Sequence, residues 1–210
     1  MPIDKSRKTA VTFALGAAQM LSWGSTYYLP AVLAVQMADS VGIATDMVYA
    51  VFSGAMLLSA FLGPAAGRRI DRIGGRSVLA ISSIIFAVGL VLIGSAENVG
   101  LFVLGWLVIG LGMGIGLYEA AFSTLAVIYG KESKNAIMAI TLIAGFASTV
   151  CWPITTIVSA EWGWRLTCYF WALVNLGLVL PLYLFMIPTS RSVPEAVATD
   201  EREPAVNLYS

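Results

Sequence analysis

Residues 63–79 read GPAAGRRIDRIGGRSVL, a charged stretch punctuated by glycines between two long apolar runs. Its core is Gly67-x-x-x-Asp71-Arg72-x-Gly74-Gly75-Arg76. Arg68, Arg69, Arg72 and Arg76 surround one carboxylate, Asp71, which can form charge-assisted bonds to them. Gly63 and Gly67 are four positions apart, so on a helix they stack on one face and let a neighbouring helix approach closely. Gly74 and Gly75 suit the positive φ of a tight turn. A basic loop with glycine turns accounts for everything here except Asp71.

Outward from this stretch the chain is apolar. Of 210 residues 59% are hydrophobic and only 11% charged, and the mean hydropathy is +0.85. A soluble domain carries about 25% charged residues, so most of this surface faces lipid. Apolar runs lie at 10–37, 47–66, 78–96, 99–128, 136–158 and 166–187. A helix needs about 20 apolar residues to cross the hydrocarbon core, and backbone in lipid must satisfy its own hydrogen bonds. The expectation is an all-α membrane protein, a bundle of six transmembrane helices over residues 1–187. The first run is too long for the hydrophobic region of a cleavable leader and is expected to be retained.

Of twelve basic residues, all but Arg165 fall before the first run, after the second, after the fourth or in the tail. The excess of positive charge on the cytoplasmic side of membrane proteins then places both termini in the cytoplasm. Trp162 and Trp164, beside Arg165, suit an outer interfacial belt. The tail, 188–210, holds three prolines and four acids and reads as a flexible cytoplasmic linker or tail. The zero net charge and scattered basic residues argue against nucleic acid. The chain has no histidine, which removes His-based metal sites and His-dependent nucleophiles. Cys151 and Cys168 lie in apolar runs and read as buried free thiols. No catalytic residue, metal or cofactor is expected, and the chain does not read as an enzyme.

Within the runs, one residue is charged: Glu119. The next charge towards the cytoplasm, Lys131, is about 18 Å away along a helix at 1.5 Å per residue. The Glu119 carboxyl must therefore be neutral, paired or hydrated. Such residues usually face cavities and carry function; the alternative is a neutral Glu119 bonded to Gln19 or Tyr118 to lock helices. Helical spacing aligns Gly105, Ile109, Gly112, Gly116, Glu119 and Ser123 on one face. Comparable faces hold Thr12, Gly16, Gln19, Trp23, Thr26 and Pro30, and Thr141, Gly145, Ser148, Trp152 and Thr155. These faces, with Tyr27 and Asn175, could line a substrate or proton path through Gln19, Trp23, Tyr27, Tyr118, Glu119, Trp152 and Asn175. Ordinary packing with polar glue explains each residue singly.

The stretch Gly67-x-x-x-Asp71-Arg72-x-Gly74-Gly75-Arg76 resembles the signature between helices 2 and 3 of the major facilitator superfamily, roughly G-x-x-x-D-R-x-G-R-R, with Gly75 where a basic residue is common. Gly163-Trp164-Arg165 resembles another recurrent element, and GLYEAAF (116–122) and AGFASTVCWP (144–153) look like strings of the bacterial monocarboxylate-type branch. The arginine that family members often place early in helix 4 is absent; Trp106 stands there. The resemblance implies the N-terminal half of a twelve-span secondary transporter, built from a 3+3 inverted repeat. It implies a latch at Gly67, Asp71, Arg72, Gly74 and Arg76. The partners implied are the lipid bilayer, a small-molecule substrate and a second six-helix half or homodimer partner, in the cytoplasmic (inner) membrane. Helices 1–3 and 4–6 share little beyond scattered glycines. A truncated or non-transporting component that binds another membrane protein is the alternative.

Overall fold

The computed structural model describes residues 5–188, with side chains from residue 7. The tail beyond, with Arg191 and Arg202, lies outside the described residues. Among the described residues the chain is helical and has no strand. The helices are α1 Lys5–Ser25, α2 Leu29–Val41, α3 Thr45–Ile73, α4 Gly75–Gly94, α5 Val99–Gly116, α6 Tyr118–Tyr129, α7 Ser133–Gly145, α8 Ala147–Val174 and α9 Leu180–Met186. The stretches Thr45–Ile73, Gly75–Gly94 and the long helical run Val99–Met186 are apolar and long enough to cross a membrane.

Three apolar runs expected to be single helices are broken. The first breaks at 26–28. Pro30 opens α2, where the ring's missing N–H costs nothing. Before it, the Ser25 and Thr26 hydroxyls donate to the Ser22 carbonyl at 3.2 and 2.6 Å, which competes with the helix ladder. The fourth run breaks at Leu117 (φ −89°, ψ −154°), directly after the Gly112, Gly114, Gly116 series. The fifth breaks at Phe146, after Gly145. Inside α8 a kink at Gly163 (φ 80°) separates two helices. The π-helical turn Asn175–Val179 precedes Pro181, whose absent N–H would otherwise orphan a carbonyl one turn back.

The charged stretch expected to be a loop is mostly helix. α3 runs through Ile73, so Gly67, Asp71 and Arg72 sit on its last turns; Gly74 alone links it to α4. Gly74 takes positive φ, 82°, with its N–H on the Ile70 carbonyl at 2.7 Å. Gly75 has no positive φ. A Cβ there would collide with the Thr124 side chain of α6. The basic residue common in the superfamily at this position has no room here. The expected close crossing at Gly63 and Gly67 is absent among the described residues: a Cβ on Gly63 meets open space, and one on Gly67 only the Ser123 hydroxyl at 3.8 Å.

The glycines of α5 pack on two neighbours. Gly110 lies against the Ala55 backbone of α3 and Gly114 against Ser59 and Leu62. Gly105, Gly112 and Gly116 lie against Ile93, Phe86 and Ser82 of α4. The face expected to line a path is thus filled by α4, and the break at Leu117 separates it from Glu119. The buried core forms two layers, one around Leu33, Phe86, Trp106 and Trp171, the other around Leu15, Leu79, Leu125 and Tyr183. Gln19, Ser22 and Ser25 of α1 and Asn175 of the π-helical turn are buried polar residues.

Candidate functional site

The break between α1 and α2 meets the break between α5 and α6. Trp23, on the last turns of α1, holds its ring 4.8 Å from Tyr118, the first residue of α6. From this contact aromatic rings extend both ways. Trp23 meets Tyr27 at 5.0 Å, Tyr27 meets Tyr28 at 5.2 Å, and Tyr28 meets Trp152 of α8 at 6.3 Å. On the other side Tyr118 stacks on Phe122 at 5.2 Å and 11°. Tyr27 also reaches Phe52 of α3 at 5.6 Å, which packs on Trp106 at 5.4 Å. Four of the residues named from sequence, Trp23, Tyr27, Tyr118 and Trp152, thus share one network. Tyr28, Phe52 and Phe122 belong to it and were not named, because an aromatic in an apolar run carries no sequence mark distinguishing a wall from a core.

The network borders an uncovered face. Tyr27, Tyr28, Trp23 and Tyr118 are half-buried, and Trp152 is 43% exposed. Glu119 is exposed and has no hydrogen-bond or ionic partner among the described residues. It therefore does not bond Gln19 or Tyr118.

Gln19 and Asn175 lie apart from this face, fully buried. Gln19 Nε2 donates to the Gly116 carbonyl at 2.8 Å and to the Tyr183 hydroxyl at 3.1 Å. Asn175 Nδ2 donates to Ser25 Oγ at 3.0 Å and to the Trp171 carbonyl at 2.9 Å. These bonds tie α1 to the end of α5, to α9 and to the π-helical turn. Gln19 Oε1, Asn175 Oδ1 and the indole N–H groups of Trp23 and Trp106 are buried without a partner. An unsatisfied buried polar group costs about 1–3 kcal/mol, and water or a bound solute would satisfy them.

The latch residues occupy the junction of α3 and α4. Asp71 and Arg72 are exposed, Gly74 is buried and Arg76 is half-buried. Asp71 has no ion pair or hydrogen bond among the described residues, so the expected bonds to the surrounding arginines are not made.

Two further constellations hold the ends. Arg165 donates to the Gly94 and Ala96 carbonyls at 3.0 and 2.7 Å and to Ser40 Oγ at 3.1 Å. It thereby caps the carbonyl end of α4, where a cation is favoured. Its guanidinium lies 4.4 Å from the Trp164 ring. Trp164 is buried under it, so it is a core residue rather than part of an interfacial belt; Trp162 is 61% exposed. At the other end Lys8 pairs with Glu132 and lies over the Tyr129 ring, whose hydroxyl donates to the Lys8 carbonyl at 3.1 Å. The Lys8 ammonium, bonded to Glu132, holds that carboxyl below the usual carboxylate range. Both thiols are free and buried, and the described residues contain no cluster able to hold a metal ion.

The sequence pattern of the Major Facilitator Superfamily matches residues 15–209. An uncharacterised MFS-type transporter of Bacillus subtilis (strain 168), YhcA, is 26% identical over 160 residues, covering 76% of this chain and 30% of that protein. A probable polyol transporter, number 3, of Arabidopsis thaliana is 30% identical over 129 residues, covering 55% of this chain and 24% of that protein. The chain thus spans less than a third of the length of either relative.

Proposed function

This chain belongs to the major facilitator superfamily and is a multi-pass membrane protein, and from that premise we propose that it is the N-terminal six-helix half of a secondary transporter. It moves a small solute across the cytoplasmic membrane, with both termini on the cytoplasmic side. Its partner is a second six-helix half or a second copy. The observation that carries this reading is the meeting of two broken passages at Trp23 and Tyr118 on an uncovered aromatic face. Discontinuous helices near the middle of the membrane are where transporter sites are built. Helices left exposed on that side need a second bundle to close a pathway. Asp71 acts as a latch to that bundle, which fits an exposed carboxylate with no partner in its own half.

The test is uptake. The chain is reconstituted in proteoliposomes, alone and with a six-helix partner bundle, and solute entry is followed with and without a proton gradient. Entry that needs the partner supports the reading. Entry catalysed by a demonstrably monomeric chain contradicts the half-transporter assignment. Stable association with another membrane protein and no transport by the complex would make it a non-transporting component.

A further inference from the structure

The chemistry of the uncovered face selects a class of solute. Trp23, Tyr27, Tyr28, Trp152 and Tyr118 form a wall of ring contacts between 4.8 and 6.3 Å. Glu119 follows Tyr118 directly on α6, about 100° round the helix. The face of α6 one turn further on, at Ser123, looks towards Gly67 of α3. Glu119 thus sits on the strip between the aromatic wall and α3, exposed and without a counter-charge among the described residues. No basic residue lies in 10–37 or 99–128, the two runs that carry the breaks at this face. Lys8 is paired with Glu132, and Arg165 is committed to the carbonyl end of α4. Aromatic faces attract cations through their negative quadrupole, and a carboxylate without a counter-charge does the same. An anion would meet repulsion from Glu119.

We propose that the Trp23–Tyr118 aromatic face and Glu119 bind an organic monocation with an apolar or aromatic body. The proposal rests on the transporter reading of the same site and gives it a charge selectivity. The positive centre sits between Glu119 and the rings, and the apolar body lies along Tyr27, Tyr28 and Trp152.

The test compares tetraphenylphosphonium with tetraphenylborate, ions of nearly the same size and shape and opposite charge. Binding of each to the full chain in nanodiscs is measured by displacement of labelled ion, against empty nanodiscs. Tetraphenylphosphonium is expected to bind saturably and tetraphenylborate not to. Glu119→Gln, which keeps shape and hydrogen bonding, is expected to weaken the cation about tenfold, and Glu119→Asp to weaken it less. Trp152→Leu is expected to weaken it about threefold. Circular dichroism and size-exclusion profiles show that each variant is folded; if Glu119→Gln does not fold, Glu119→Asp and Trp152→Leu carry the comparison. Equal binding of the two ions, no saturable cation binding, or an unaltered affinity in folded Glu119→Gln overturns the proposal. Cation binding without uptake by any assembly refutes the transport reading and leaves the cation assignment standing. Uptake of an anionic solute without cation binding does the reverse.

Discussion

Trp23 and Tyr118 hold their rings 4.8 Å apart at an interplanar angle of 43°, joining the last turns of α1 to the start of α6. Regular helix would have spared the bundle two interruptions. The breaks instead bring side chains from α1, α3, α6 and α8 to one level and one face.

Gly75 tests how the latch junction is packed. Gly75→Ala forces a methyl into the Thr124 side chain and is expected to destabilise the fold by about 1–3 kcal/mol, and Gly75→Arg by more. Gly145→Ala, where a Cβ meets nothing within 4 Å and φ is not positive, is expected to be neutral or slightly stabilising. Thermal melting in detergent, with the three variants side by side, checks the order. An unchanged melting temperature in Gly75→Arg would refute the close contact.

Arg165 tests the cap on α4. Arg165→Gln leaves the Gly94 and Ala96 carbonyls short of a charged donor at the end of a helix. The expected loss is about 1–3 kcal/mol, seen as a lower melting temperature. Arg165→Lys is expected to recover only part of it, because one ammonium cannot reproduce the fork that reaches both carbonyls and Ser40.

The Lys8–Glu132 bridge makes a pH prediction. Its carboxyl is held below the ordinary value, so the folded state favours the ionised form. Whatever the bridge contributes is present above the ordinary glutamate value of about 4.3 and is lost as pH falls through the lower folded value. Lys8→Gln is expected to return the Glu132 titration upwards to the ordinary range, read from the side-chain carboxyl carbon by NMR. A midpoint that stays where it was would show that the bridge does not persist in solution.

Topology is checked by single cysteines, since Cys151 and Cys168 are buried and give little background. Cysteines at positions 6, 133 and 192 are expected to react with an impermeant maleimide only from the cytoplasmic side, and one at position 39 only from outside. Position 39 is preferred to 42, because Gly42 has φ 77° and a side chain there is strained. Reaction of position 133 from outside would refute the orientation.

For the latch, Asp71→Asn removes the charge and keeps the size. Insertion is expected to be unchanged, and a cysteine at exposed Ala65 is expected to react faster in the assembled transporter. Equal rates would reduce the arginine-rich junction to a determinant of orientation alone.

Much of this protein follows from its amino-acid order. Long apolar runs with few charges dictate membrane helices, because lipid leaves backbone polar groups no other partner. The spacing of Gly67, Asp71 and Gly74 pointed to the family, and four aromatics marked in the sequence, at 23, 27, 118 and 152, share one network of ring contacts. Tertiary structure decided which faces meet. Periodicity shows that Gly105, Gly112 and Gly116 share a face; it does not show that α4 fills it, and Gly63 and Gly67 have the same spacing with nothing packed between them. Nor could order along the chain separate buried Gln19 and Asn175, which lock helices, from exposed Glu119, which has no partner among the described residues. A helix repeats its side chains by a local rule of about 100° per residue. The neighbour that each face receives is set by contacts between residues far apart in sequence, and those exist only once the bundle has closed.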